Sequence, residues 1–266
     1  MNDNKPSFKK LINELIDFGE LKINTILESL SGIGSLLLEN IFVITVGIHT
    51  YAKAIEVLAK DDNIAAGNVL LRSIFEGLVN IKYILKDKTQ LRAASFELND
   101  LDKQNKFVKG ILNGPEDIGL ITNKTQLSEI ESCKKRLEEI ENRKAEIITI
   151  FKDTYNIKIQ NSEKINWETD VFKKSKEVGL ESEYRTIYTY LCGFSHLDAT
   201  GLKTFFQLGD GKYHINIKKS EDEIESLLGA TCSYYLKTLR EICVNFNIYS
   251  EKEFSQFLDT FKILNK

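Results

Sequence analysis

The sequence predicts an all-α fold: a helical bundle with a protruding antiparallel coiled-coil hairpin and one small β-hairpin. Three observations carry that expectation. Apolar residues recur at three- and four-residue steps over most of the chain, the period of helices rather than strands. Two segments hold an unbroken heptad alternation. Only 2 prolines occur in 266 residues, where average usage of about 5% would give roughly 13, and proline is what breaks long helices. The composition, 42% hydrophobic and 28% charged, is that of a folded globular protein. We read residues 1–266 as a single helical domain, with 88–152 as a coiled-coil arm insertion.

The first helix, about residues 6 to 30, is set by Leu11, Leu15, Phe18 and Leu21 with Ile12, followed by Ile26, Leu27 and Leu30. Ser31-Gly32-Ile33-Gly34-Ser35 ends it. A second helix, about 36 to 60, is apolar on nearly all sides through Ile48, which predicts a central place in the bundle. Its uncharged run, residues 40 to 52, is thirteen residues long, short of the roughly 20 that cross a bilayer. Asp61-Asp62-Asn63 breaks the chain and caps a third helix, about 64 to 87, in which Arg72 and Glu76 interrupt an apolar field of Val69, Leu70, Ile74, Phe75, Leu78, Ile81, Ile84 and Leu85.

Leu91, Ala94, Leu98, Leu101, Asn105, Val108 and Leu112 alternate three- and four-residue steps without a slip. The alternation returns in Ile130, Cys133, Leu137, Ile140, Lys144, Ile147 and Phe151. A break holding Gly114-Pro115 and Gly119 separates the two, the pattern of an antiparallel coiled-coil hairpin about 33 Å long. Charged flanks such as Lys134-Lys135-Arg136 and Glu138-Glu139 read as a solvated face.

After a polar link around 156 to 166 the chain resumes with Trp167, a short helix near 170 to 177 and a helix from about 181 to 196. Phe205-Phe206-Gln207-Leu208 and residues 212 to 217 flank Gly209-Asp210-Gly211, a hairpin signal. Ser220-Glu221-Asp222-Glu223 opens a long helix to about Phe246 as a capping box, and a last helix spans 251 to 264.

The net charge of -3 provides no global field for nucleic acid or an anionic membrane. Cys133, Cys192, Cys232 and Cys243 lack C-x-x-C spacing, so neither a zinc knuckle nor a disulfide framework is expected, and reduced thiols fit a cytoplasmic protein. Cys192, Cys232 and Cys243 read as packing residues. The polar start, with Glu14, Asp17 and Glu20 following, is not a signal peptide. There is no P-loop, G-x-G-x-x-G, H-E-x-x-H or G-x-S-x-G, and only His49, His196 and His214 could supply imidazole, so no cofactor and no metal are expected.

One pair of helices remains. At about 100° per residue, Arg185, Tyr188, Cys192 and His196 fall on one stripe, and Arg72 and Glu76 share a face four residues apart. If the stripes oppose, a guanidinium, a carboxylate, a phenol and an imidazole meet. That set serves general acid-base work or grips a phosphate. It serves equally as a buried network that fixes how two helices pack, in which case Arg72→Ala and His196→Ala would each cost a few kcal/mol. Asp198 reads as an N-cap before Leu202, and His214 as a surface residue of a strand.

Leu71-Arg72-Ser73-Ile74-Phe75-Glu76 and Tyr188-x-x-x-Cys192-x-x-x-His196 resemble the two signatures of a bacterial domain-of-unknown-function family, number five-six-seven-seven: Arg-x-x-x-Glu on one helix and Tyr-x-x-x-Ser-x-x-x-His on a later one. Arg72, Glu76, Tyr188 and His196 occupy the matching positions, and Cys192 stands where the family has Ser. The resemblance covers about residues 45 to 210 and implies a helical bacterial protein met near mobile or defence genes. The arrangement is also distantly similar to the HEPN bundles, many of which are dimeric metal-independent ribonucleases of toxin and phage-defence systems. Their signature sets Arg a few residues before His, whereas ten residues separate Arg185 from His196 here.

Two functions stand open. One is a binding, sensor or interaction module with a protein partner on the coiled-coil arm. The other is a HEPN-like ribonuclease, with RNA as its substrate, His196 as acid or base and Arg72 or Arg185 stabilising phosphorane-like charge. A homodimer is expected in either case, with no membrane partner.

Overall fold

The structure, a computed structural model, describes residues 6–30, 35–87, 90–113, 127–155, 167–196, 206–209, 212–215 and 220–265. Asp198, the Gly114-Pro115 break and the 156 to 166 link lie outside them. The fold is all-α. Two compact units make up the chain: residues 1–86 with 170–266, and residues 87–169.

The first unit holds α1 (Phe8–Leu30), α2 (Leu36–Lys60), α3 (Ile64–Leu85), α6 (Val171–Glu177), α7 (Glu181–Glu183), α8 (Thr189–His196), α9 (Glu221–Asn245) and α10 (Glu251–Leu264). Asn63 caps α3 by accepting the Ala66 N–H, and Ser220 and Glu223 cap α9 reciprocally. Phe206–Gly209 and Lys212–Ile215 pair antiparallel, Phe206 opposite Ile215 and Gln207 opposite His214.

α3 and α9 carry the core. α3 packs on α2, α9, α8 and α6, while α9 also packs on α1 and α2. Phe75, Tyr234, Tyr235 and Phe254 are its largest fully buried side chains. α2 and α3 approach closely at Gly77, where a Cβ would sit 2.8 Å from Ile48 Cδ1. The fit there leaves no room for a methyl group.

Two sequence expectations are corrected here. α2 is not enclosed: Ile41, Ile48, Ala52 and Ile55 are buried, yet Val43 and Val57 stand 67% and 54% exposed, with Val46 and Tyr51 beside them. All-round apolarity marked the composition of α2, not a cover on its outer stripe. In α1, Leu21 and Leu27 point outward, and Lys22 takes the buried position, bonding Glu253 on α10 at 2.9 Å. The aliphatic stem packs while the ammonium meets a carboxylate. By length and apolar content α2 and α3 could cross a membrane, a test that core helices also pass.

The second unit is built on α4 (Leu91–Asn113) and α5 (Leu127–Tyr155). Leu98, Leu101, Asn105 and Val108 of α4 are buried, as are Ile140 and Ile147 of α5. Arg143 bonds Glu97 at 2.7 Å, Lys144 pairs with Asp102 at 2.7 Å, and Arg136 bonds Gln104 at 2.7 Å. Glu97 near the start of α4 meets Arg143 late in α5, while Gln104 further along α4 meets the earlier Arg136, so the helices run antiparallel. The Glu97 bond holds the Arg143 guanidinium charge more firmly than usual, against burial, with help from Glu146. Phe96 meets Trp167 edge-on, centroids 5.2 Å apart.

Candidate functional site

Arg72 and Glu76 lie one helical turn apart on α3, which lets the guanidinium Nε donate to Glu76 Oε1 at 3.0 Å. Tyr188 brings its hydroxyl to the same carboxylate oxygen, donating at 2.7 Å, while accepting from Arg72 Nε at 3.4 Å and Nη2 at 3.2 Å. Its phenol ring also underlies the guanidinium, 5.3 Å from Cζ. At the outer edge, Arg72 Nη1 lies 3.3 Å from His196 Nε2. A guanidinium has no acceptor, so the imidazole must accept there, which calls for the ring with its proton on Nδ1.

Burial grades across the cluster. Tyr188 is buried, Arg72 and Glu76 are partly exposed, and His196 is exposed. Burial pushes the Tyr188 phenol up, the Glu76 carboxylate adds to this, and Arg72 opposes. Burial pulls the Arg72 guanidinium down, but Tyr188, Cys192 and Glu76 outweigh it and leave the charge favoured. Aromatic packing holds Tyr188 in place: Tyr184 stacks on it at 4.8 Å and Phe75 lies 5.3 Å away.

Arg185 does not join. Its guanidinium bonds Glu181 at 2.7 and 3.0 Å and lies over Phe172 at 4.8 Å, with the side chain 62% exposed. Uniform helical phase placed it on the stripe, but Tyr184–Tyr188 form a π-helical turn between α7 and α8. Such a turn slips the phase by roughly one residue, about 100°. The Thr189 hydroxyl reaches back five residues to the Tyr184 carbonyl at 3.0 Å. Among the described residues no group of His, Cys, Asp and Glu converges to hold a metal ion.

Residues 41–213, about two thirds of the chain, match the Family of unknown function (DUF5677). The chain belongs to that family. No curated protein and no solved structure matches it. Arg72, Glu76, Tyr188, Cys192 and His196 all lie within the DUF5677 span.

A second polar network escaped the sequence reading. His49 Nδ1 meets the Tyr235 hydroxyl at 2.5 Å, and its Nε2 lies 3.9 Å from Glu20, which also pairs with Lys53 at 3.2 Å. Burial, then the Lys53 charge, pull His49 below its usual value of 6.5, with Glu20 opposing. Burial pushes the Tyr235 phenol up. Gly19 makes the room: a Cβ there would lie 1.7 Å from the Tyr235 hydroxyl. Its members sit on α1, α2 and α9, so no local spacing could have revealed it. Tyr184 and Phe75 were likewise unforeseen as supports of Tyr188.

Proposed function

We propose that this DUF5677 chain is a binding or sensor module, in which the Arg72 cluster locks α8 onto α3 and presents His196 at the surface. The observation that carries this reading is the inward turn of Arg72: its donors go to Glu76, Tyr188 and His196. The imidazole lone pair that a general base would use is held by the guanidinium itself. On this reading α4 and α5 form a coiled-coil arm, inserted at 88–152, for a protein partner, and the chain acts in the cytoplasm as a homodimer. A role beside defence genes follows from the family resemblance alone.

One observation favours a second reading, a HEPN-like metal-independent ribonuclease of a toxin or phage-defence system. His196 is exposed beside a guanidinium 3.3 Å away, a titratable group next to one that stabilises phosphorane-like charge. The deciding experiment is a cleavage assay on labelled tRNA and total RNA in chelator, comparing wild type with His196→Ala of recorded melting temperature. The binding reading expects intact RNA with both proteins. Cleavage by wild type that vanishes in a stably folded variant would replace it with the nuclease. Light scattering should return a dimer mass, and a monomer mass removes the dimer.

A further inference from the structure

Asn68, Arg72 and Glu76 form one stripe on α3 at four-residue steps, and the first of them faces a different neighbourhood. Asn68 lines a cavity of about 420 Å³ bounded by α3, the chain from Thr186 to Phe194, and the start of α9. Its wall is apolar: Ile64, Leu71, Leu191 and Leu227, with Tyr190 meeting Phe194 edge-on at 5.1 Å. A volume of this size is that of a small-molecule site.

Two polar features make the cavity more than a packing defect. Asn68 is 7% exposed, and no hydrogen bond to its side-chain amide occurs among the described residues. The amide opens on the cavity, where its acceptor and donors are available to whatever occupies the space. At the mouth stand Asp222 and Glu223, both exposed, with Ser226 a turn further along α9. Glu223 also accepts the Ser220 N–H at 2.9 Å, which fixes its negative charge at the rim.

We propose that this cavity binds a small, uncharged aromatic molecule that carries a hydrogen-bond donor and acceptor side by side. The aromatic body fills the space between Tyr190, Phe194 and the aliphatic wall. Its polar edge pairs with the Asn68 amide, which offers one acceptor and two donors. The two rim carboxylates exclude anions. Aromatic carboxamides and nucleobase edges share this chemistry. The assignment deepens the binding-module reading, because it gives the module a ligand site one turn along α3 from the Arg72 cluster.

The test titrates the full chain with benzamide, adenine and benzoate, following ligand protons by saturation-transfer NMR and affinity by calorimetry. Saturable binding of benzamide assigns the carboxamide class, and saturable binding of adenine the nucleobase class. Benzoate, which has the shape of benzamide but a negative charge, should bind at least tenfold more weakly, and Asp222→Asn should narrow that gap. Asn68→Leu should weaken the bound probe about tenfold, and Ala230→Trp, which fills the cavity from α9, should abolish binding. Failure of both neutral probes to saturate would overturn the proposal. So would equal binding to wild type and Ala230→Trp. No RNA is present in these titrations, so cleavage in the nuclease assay would overturn the binding-module reading without altering their outcome.

Discussion

Histidine meets tyrosine twice in the first unit, and the two meetings differ in almost every other respect. His49 and Tyr235 are both buried, and their contact joins α2 to α9. His196 is exposed, and it reaches Tyr188 only through Arg72, which stands between α3 and α8. The inner pair has no strong ionic partner of its own, since Glu20 lies 3.9 Å away with most of its side chain in water. The outer group holds a cation and an anion in hydrogen-bond contact. Residue type therefore does not assign a role. Burial seals the inner pair from water, whereas the outer group ends in an exposed imidazole.

Substitutions should separate the two sites by their effect on stability. The largest loss is expected from Gly19→Ala, because the new methyl would overlap the Tyr235 hydroxyl at 1.7 Å. Overpacking of this kind costs roughly 1–3 kcal/mol. The gain in helix propensity returns about 1 kcal/mol of it. Chemical denaturation should therefore show a net loss of up to about 2 kcal/mol, and a variant more stable than wild type would mean that the hydroxyl does not occupy that space. Tyr235→Phe should cost about 1 kcal/mol, by leaving the His49 Nδ1 without its partner.

A pH series probes the same joint more gently. The His49 value is lowered in the folded chain, so the unfolded chain binds the proton more readily. Stability linked to His49 is thus complete above its ordinary 6.5 and is lost as the pH falls from there through the lowered folded value. His49→Gln should flatten that part of the melting-temperature profile. The smallest effect belongs to the outer site: His196→Ala should change stability by less than about 0.5 kcal/mol, as surface substitutions do. This revises the few kcal/mol expected when His196 was read as part of a buried network. A large loss would mean that the imidazole itself carries part of the lock between α8 and α3.

Local pattern was readable where its cause was local. The heptad positions of α4 from Ala94 to Val108 are all buried, with Ser95 beside them, because the three- and four-residue phase sets which face packs. Ser220 and Glu223 announced the start of α9 since a capping box lies within four residues. Arg72, Glu76, Tyr188 and His196 were legible as two stripes, each within one helix. Arg185 was misplaced because constant helical phase does not survive a π-helical turn. Lys22 was hidden for another reason: its partner Glu253 lies 231 residues away, and nothing nearby marks a lysine as buried. Asn68 passed unnoticed among apolar neighbours, although it continues the Arg72 and Glu76 spacing.

The π-helical turn at Tyr184–Tyr188 also determines which mutations this region tolerates. It acts as a slack joint. Glu181 ahead of the turn and its partner Arg185 within it can drift in sequence without re-aiming Tyr188, whose direction is set by Tyr184, Phe75 and the Glu76 carboxylate. Deleting one residue within the turn would tighten it to ordinary helix and rotate everything upstream by about 100° relative to α8. Exchange of the Glu181 and Arg185 side chains is therefore cheap, while a change of length is not.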